Sequence, residues 1–252
     1  MARFYLDHVI VGVRDLAGAV ADWRALGLVV TDGGVHPNGG TRNAIVRFPD
    51  RSFLELMTVI DAEAVAARSP AFLALLEQHP DGAIQWALRT DDVDEAHATL
   101  AARGLRLGAI RDGVGRRDSG RVARWRTFSI EEAAFPFVLQ YDGPPTSEPS
   151  HDGLPLRGIA AAIVQAVTAP ALQQRLVEAF GVAVDDGRVR FAGGEAVVVD
   201  EPRQHPGVVG VELLLDDERG AAAFLRERDV PATDGWLRDR RLHGLGVRLV
   251  VE

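Results

Sequence analysis

The sequence predicts an α+β fold of four βαβββ modules arranged in two pairs, and three observations carry this expectation. A strand-then-helix unit recurs 77 residues on, so that His8, Asp15 and Gly27 of the first copy correspond to Gln85, Asp92 and Gly104 of the second. Self-similarity at a fixed period marks a repeated supersecondary unit. The same step taken again lands on Gly181, which closes another strand-plus-helix stretch. Each helix is followed by short β-rich runs, and a cluster of Pro, Ser and Gly at residues 143–156 (GPPTSEPSHDGLPL) separates the two pairs as a linker would.

The elements follow in order. LDHVIVGVRDL (6–16) reads as an apolar strand, and AGAVADWRALG (17–27) has helical apolar spacing that ends at Gly27. TRNAIVRF (41–48) and SFLELMTV (52–59) complete the first module as strands. Residues 61–80, DAEAVAARSPAFLALLEQHP, join modules one and two and carry a helix. The second module repeats the pattern with AIQWALRTDDV, DEAHATLAARG, RVARWRTFSI and FPFVLQY. The third offers GIAAAIVQAV, APALQQRLVEAFG, RVRFA and EAVVVDE. The fourth is shorter, with VVGVELLLDD, ERGAAAFLRERDV and GVRLVVE, Asp217 standing where Asp92 stands and Asp229 at the helix end. The expected domains are therefore 1–146, with modules 1–76 and 77–146, and 155–252, with modules 155–205 and 206–252.

Composition limits the chemistry. All 28 basic residues are Arg, none is Lys, and the chain has no Cys. Schiff-base, thiol, disulfide, iron–sulfur and phosphate-loop-lysine chemistry are thereby excluded, which leaves His, carboxylate, Arg, amide and hydroxyl groups. A net charge of -8 opposes a general nucleic-acid partner, because phosphate binding needs a concentrated cationic face. The apolar stretches stop short of the roughly 18–20 residues that span a bilayer, and the chain opens into a strand instead of a signal peptide. The expectation is a cytoplasmic protein with no membrane partner.

Four βαβββ units in two pairs resemble the vicinal oxygen chelate superfamily, which includes glyoxalase I, bleomycin-resistance proteins and extradiol dioxygenases. LDHVIVGV followed by FLEL looks like that superfamily's first module, and HPNGGTRNAIVRFPDRSFLEL (36–56) with QWALRT (85–90) is similar to glyoxalase-like domain proteins that carry an HPxxGTxN pattern. The resemblance implies paired modules whose mixed sheets curve around a cavity. It further implies a divalent metal (Zn, Mn, Ni or Fe) held by one residue from the first strand and one from the last strand of each module. Carried over by position, these ligands are His8 and Glu55 from the first module and Gln85 and Gln140 from the second. In the second half the place of His8 falls on Ala162 and Gly210, neither of which can ligate. Residues 155–252 are then scaffold, or one wall of a domain or homodimer interface, with Glu195, His205, His243 and Glu252 solvated.

The candidate quartet brings one carboxylate charge, one imidazole and two neutral amides to an ion that prefers more carboxylate. Alternation places Ile10 and Gly12 beside His8, and Ala87 and Arg89 beside Gln85, with Trp86 on the opposite, core-facing side. His36, Thr41 and Asn43, in the family-like stretch, are candidate ligand-facing groups. Ungapped alignment of the last hairpins puts Arg126 on Thr41, so Arg126 is a candidate anion-binding group, its alternative being a surface Arg with Trp125 turned inward. The run Arg111, Arg116, Arg117, Arg121 with Asp112 and Asp118 reads as a solvated Gly-rich loop able to act as a lid. Two functions stay open. In one, a metal binds a small oxygenated substrate while Glu55 or His36 moves a proton, as in a lyase, isomerase or dioxygenase. In the other, a metal-free cavity binds or sequesters an organic molecule, as resistance proteins do.

Overall fold

A computed structural model describes residues 2–251 apart from 38, 79–80, 118, 144–152 and 202–205. The first half runs β1 (Tyr5–Gly12), α1 (Leu16–Ala25), β2 (Val30–His36), β3 (Thr41–Arg47), β4 (Phe53–Val59), α2 (Ala62–Arg68), α3 (Pro70–Gln78), β5 (Gly82–Arg89), α4 (Val93–Ala102), β6 (Arg111–Arg116), β7 (Val122–Phe128) and β8 (Phe137–Tyr141). The second runs β9 (Leu156–Ala166), α5 (Ala169–Phe180), β10 (Ala183–Asp185), β11 (Arg188–Phe191), β12 (Gly194–Asp200), β13 (Gly207–Leu215), α6 (Glu218–Glu227), β14 (Ala232–Thr233), β15 (Trp236–Leu237), a 3-10 turn at Arg240–Leu242 and β16 (Gly246–Val250). Among the described residues no helix is long and apolar enough to cross a membrane.

The 77-residue spacing has a local cause. Asp15, Asp92 and Asp217 are helix N-caps whose carboxylates accept amide hydrogens of the first turn. Gly27, Gly104 and Gly181 all hold positive φ (+88°, +82° and +65°), the left-handed step that lets the chain leave a helix. Asp229 does the same at φ 50°. The repeat is thus a repeat of helix punctuation.

The two halves use their modules differently. In the first, the sheet closes into a barrel in the order β1-β4-β3-β2-β6-β7-β8-β5. Parallel β1–β4 and β5–β8 pairs, an antiparallel β1–β5 seam and the Val35–Arg116 pair close the ring. In the second, eight strands in the order β10-β11-β12-β9-β13-β16-β15-β14 stay open. The basic run expected as a loop is corrected by this geometry: Arg111 to Arg116 form β6, which pairs with β7 and shuts the barrel. Asp118 lies outside the described residues. The single helix expected over 61–80 is two, parted at Ser69 where Pro70 follows, as expected of the residue before a proline.

One face of each sheet packs into a common core. Trp23, Trp86, Leu54, Leu56, Leu88, Leu176 and Leu213 are all fully buried there. Trp86 Nε1 donates to Ala134 O at 2.9 Å, and its ring meets Phe191 of the second half edge-on. Main-chain bonds stitch the halves, including Leu6 N to Ala192 O, Ala192 N to Phe4 O and Leu154 N to Gly27 O. A separate small cluster of Ile10, Met57, Val65, Leu76 and Ile84, with Phe72 and Leu73 packed on it, sits inside one end of the barrel. Since Val65, Phe72, Leu73 and Leu76 come from α2 and α3, those helices plug that end.

Candidate functional site

A break in strand register builds the barrel's polar interior. Leu6 pairs with Leu88 and His8 with Ala87, which leaves Asp7 as the extra residue of a bulge. Leu6 and Val9 point into the outer core, while Asp7 and His8 both turn inward. Glycine matters at one nearby place: a Cβ on Gly33 would collide with Asn43 Oδ1, so only glycine lets β2 approach that amide.

The inward side chains form one continuous chain. Asp7 Oδ2 accepts Tyr141 OH at 2.8 Å and lies 2.7 Å from His8 Nδ1, and Asp7 Oδ1 faces Arg89 Nε at 3.3 Å. A carboxylate paired with Arg89 only accepts, so His8 carries its proton on Nδ1 and Nε2 is left facing the barrel. His8 Nε2 is 3.5 Å from Glu55 Oε2. Asn43 Nδ2 donates to Glu55 Oε1 at 2.5 Å and lies 3.4 Å from His36 Nε2, and His36 Nδ1 is 2.8 Å from Thr41 Oγ1. Phe53 stacks on the His8 ring at 4.4 Å and Phe137 meets it edge-on at 5.4 Å, which fixes the imidazole plane. Asp7, His8, Asn43 and Glu55 are each 5% exposed or less. Such a buried polar network is costly unless satisfied, so its density needs a reason.

Several of these groups are electrostatically set. Burial pushes the Tyr141 phenol well above its usual 10, helped by the Asp7 charge, so it stays a donor. Burial also holds His36 below 6.5, outweighing the opposing pull of Glu55, with Arg68 and His8 acting in the same sense as burial. The neutral His36 ring accepts from Asn43 and donates to Thr41. Because the unfolded chain binds this proton more readily than the folded one, stability falls as pH drops below about 6.5. Urea unfolding of His36→Gln between pH 7 and 5 is expected to show a flatter loss than wild type, by at most about 1.4 kcal/mol per pH unit.

The structure brings His8, Glu55, Asn43, His36 and Thr41 together and keeps Gln85 on the inner face, directly opposite Ile10. It does not bring Gln140 or Arg126 there. Gln140 Oε1 accepts Val93 N at 3.0 Å and its Nε2 donates to Asp91 O, so it caps α4 on the outside of the barrel. Arg126 forms a bidentate pair with Asp94 of the same helix, likewise outside. The cause is strand register: Phe137, three residues before Gln140, stands at the place of Glu55, and Trp125, paired with Tyr141 and facing His36 edge-on at 5.5 Å, stands at the place of Thr41. Arg89 stands on the inner face that alternation assigned it, whereas Asp7 and Tyr141 were not among the sequence candidates. The available signal was an Asp inside an otherwise apolar strand.

The expectation of solvated groups in the second half also needs correction. Glu195 is ion-paired with Arg188 and Arg190, and His243 lies between Asp22 at 3.1 Å and Asp81 at 3.5 Å, bridging the halves. His205 and Glu252 lie outside the described residues.

These donors do not make the four-ligand metal centre that the resemblance implies. His8 Nε2 and Glu55 Oε2 stand at a separation that adjacent ligands of one ion would have, and Asp7 backs His8 as an outer-shell carboxylate would. Gln140 faces away, however, and strand register puts Phe137 next to Ala87 where a ligand from the last strand is needed. Among the described residues no group of three or more His, Cys, Asp or Glu is placed to hold a metal.

Known proteins agree with the architecture. A glyoxalase-like domain model matches residues 6–180. A hypothetical protein from Staphylococcus aureus superposes with TM-score 0.73 at 14% identity, covering 100% of both chains. A mutant 4-hydroxymandelate synthase from Streptomyces coelicolor gives 0.68 at 16% identity, covering 100% of this chain and 93% of that one. The 2,3-dioxygenase LapB from Pseudomonas sp. KL28 gives 0.62 at 12%, covering 98% and 92%. At these identities the likeness is one of fold. No curated protein matches the sequence.

Proposed function

This chain belongs to the glyoxalase-like domain family, and from that premise we propose that its first barrel binds a small oxygenated organic molecule and moves a proton on it. The observation that carries this reading is the His8–Glu55 pair, buried, 3.5 Å apart and backed by Asp7 on the far imidazole nitrogen. That gap is too long for a good direct hydrogen bond, and resting geometries of this kind tighten when a ligand oxygen enters. His8 accepts the hydrogen of a ligand hydroxyl at its bare Nε2. Glu55 is the group that takes or returns the proton, because Asn43 occupies its Oε1 and leaves Oε2 turned to the ligand. His36, with both ring nitrogens engaged, positions Asn43 and does not itself exchange a proton. Thr41 and Asn43 act by orienting this set.

A divalent ion, if one binds, would have His8 and Glu55 as its protein ligands, with the Gln85 amide on the same inner face; it would supply Lewis-acid polarisation. The donor set favours a site that works without it. Thermal-shift screening of oxygenated small molecules is expected to yield a stabiliser whose effect persists after EDTA and is lost in His8→Ala. Loss of the effect with EDTA, and its return with Zn, Mn, Ni or Fe, would overturn the metal-independent reading.

A further inference from the structure

The paired modules allow the inner faces of the two sheets to be compared row by row. In the first barrel one transverse row reads Arg47, Phe53, His8, Ala87, Phe137, each registered against the next. In the second sheet the same strand positions read Arg190, Glu195, Ala161, Glu212, Arg248. Both rows begin with an arginine on the corresponding strand, β3 or β11. Their surroundings differ in charge. Arg190 is neutralised by Glu195 and Asp185, and Glu212 takes both Arg188 and Arg248, so the second row is saturated from within.

Arg47 has no such partner. On β3 it lies on the inner face with Asn43 and Ile45, while Ala44 and Val46 enter the outer core. Its registered neighbour is Phe53, the ring stacked on His8. Among the described residues it makes no ion pair, and its Nη1 donates only to Thr31 Oγ1 at 3.3 Å. Burial, and then the nearby Arg117, lower it from 12.5 to about 10, so it stays charged at neutral pH in a desolvated place. A half-buried guanidinium without a counter-ion is costly to keep, and its planar fork is matched to a carboxylate.

We propose that the first barrel's ligand is a short hydroxy-acid whose carboxylate is bound by Arg47, with its hydroxyl donating toward His8 Nε2 beside Glu55. Arg47 and His8 are two strand spacings apart, roughly 10 Å between Cα atoms, a span that the Arg side chain and a three- to five-carbon acid fill. This inference rests on the function proposed for the same barrel.

The test uses 2-hydroxy acids of about three to five carbons, the size set by the strand spacing, and their primary amides, which keep shape and lose charge. Calorimetric titration is expected to show binding of at least one acid and none of its amide. Arg47→Gln is expected to weaken that binding by roughly 10- to 100-fold, the worth of a charge-assisted hydrogen-bond pair. In the absence of ligand, Arg47→Leu is expected to raise Tm by about 2–4 °C because an unpaired charge is removed, whereas Arg190→Leu lowers it by breaking existing pairs. Equal binding of acids and amides, lost in His8→Ala but untouched in Arg47→Gln, would overturn the carboxylate assignment and leave the barrel's function standing. No binding by any acid or amide overturns both.

Discussion

Replacing Asp7 by alanine is expected to destabilise the protein by about 3–5 kcal/mol, the cost of removing one partner from a buried charge pair. The side chain is 2% exposed and serves Tyr141 OH, His8 Nδ1 and Arg89 at once. Its loss strands a phenol that burial keeps protonated, an imidazole N–H and a half-buried guanidinium, none with a substitute acceptor nearby. Asp7→Asn, which keeps an oxygen for Tyr141 or His8 and loses the charge facing Arg89, is expected to cost roughly half as much. Urea unfolding followed by far-UV circular dichroism measures both. A loss below about 1 kcal/mol for the alanine variant would mean that Asp7 is not the anchor of the interior network.

The second large effect falls on activity. Glu55→Gln is expected to leave the fold intact, since the amide oxygen still accepts from Asn43 and the shape is unchanged. It removes the carboxylate that faces His8 Nε2 at 3.5 Å and takes the substrate proton. Proton transfer, followed as deuterium uptake from D2O at the hydroxyl-bearing carbon of a 2-hydroxy acid, is expected to fall by about 100- to 10,000-fold, the usual worth of a positioned general base. Uptake at the wild-type rate in Glu55→Gln would assign the base elsewhere.

Much of the fold was legible because the repeat lies in residues with stringent local demands. An N-cap needs a short acceptor, met by Asp15, Asp92 and Asp217, and a helix exit needs positive φ, met by Gly27, Gly104 and Gly181. These positions survive divergence of the strands between them in recognisable form. Closure of one sheet and opening of the other was not legible, because it depends on the Val35–Arg116 pair, which no local pattern encodes. Within the site, His36, Thr41, Asn43 and Glu55 were found through the family-like stretch 36–56, and the regular β3–β4 register keeps Thr41, Asn43 and Glu55 on one face. Asp7 was missed because a bulge turns two successive residues to one face, and period-2 reasoning allots only one of them. Gln140 and Arg126 were misplaced for the opposite reason. An ungapped alignment of the last hairpins carried Arg126 one residue and Gln140 three residues out of register, so that Trp125 and Phe137 hold those inner positions. In the second half, replacing ligand positions by Ala and Gly suggested an inert surface, yet Glu195, Glu212 and three arginines form a saturated ionic ladder there.

The central claim is that His8 presents Nε2, not Nδ1, to a ligand held beside Glu55. Long-range nitrogen–proton correlation spectra of protein labelled at histidine nitrogens, recorded above the imidazole titration range and during addition of a 2-hydroxy acid, test it directly. The expected result is a His8 ring protonated on Nδ1 with a bare Nε2 that shifts on ligand addition, while His97 and His243 stay fixed. A His8 ring protonated on Nε2, or one that does not move while the acid binds, would contradict it.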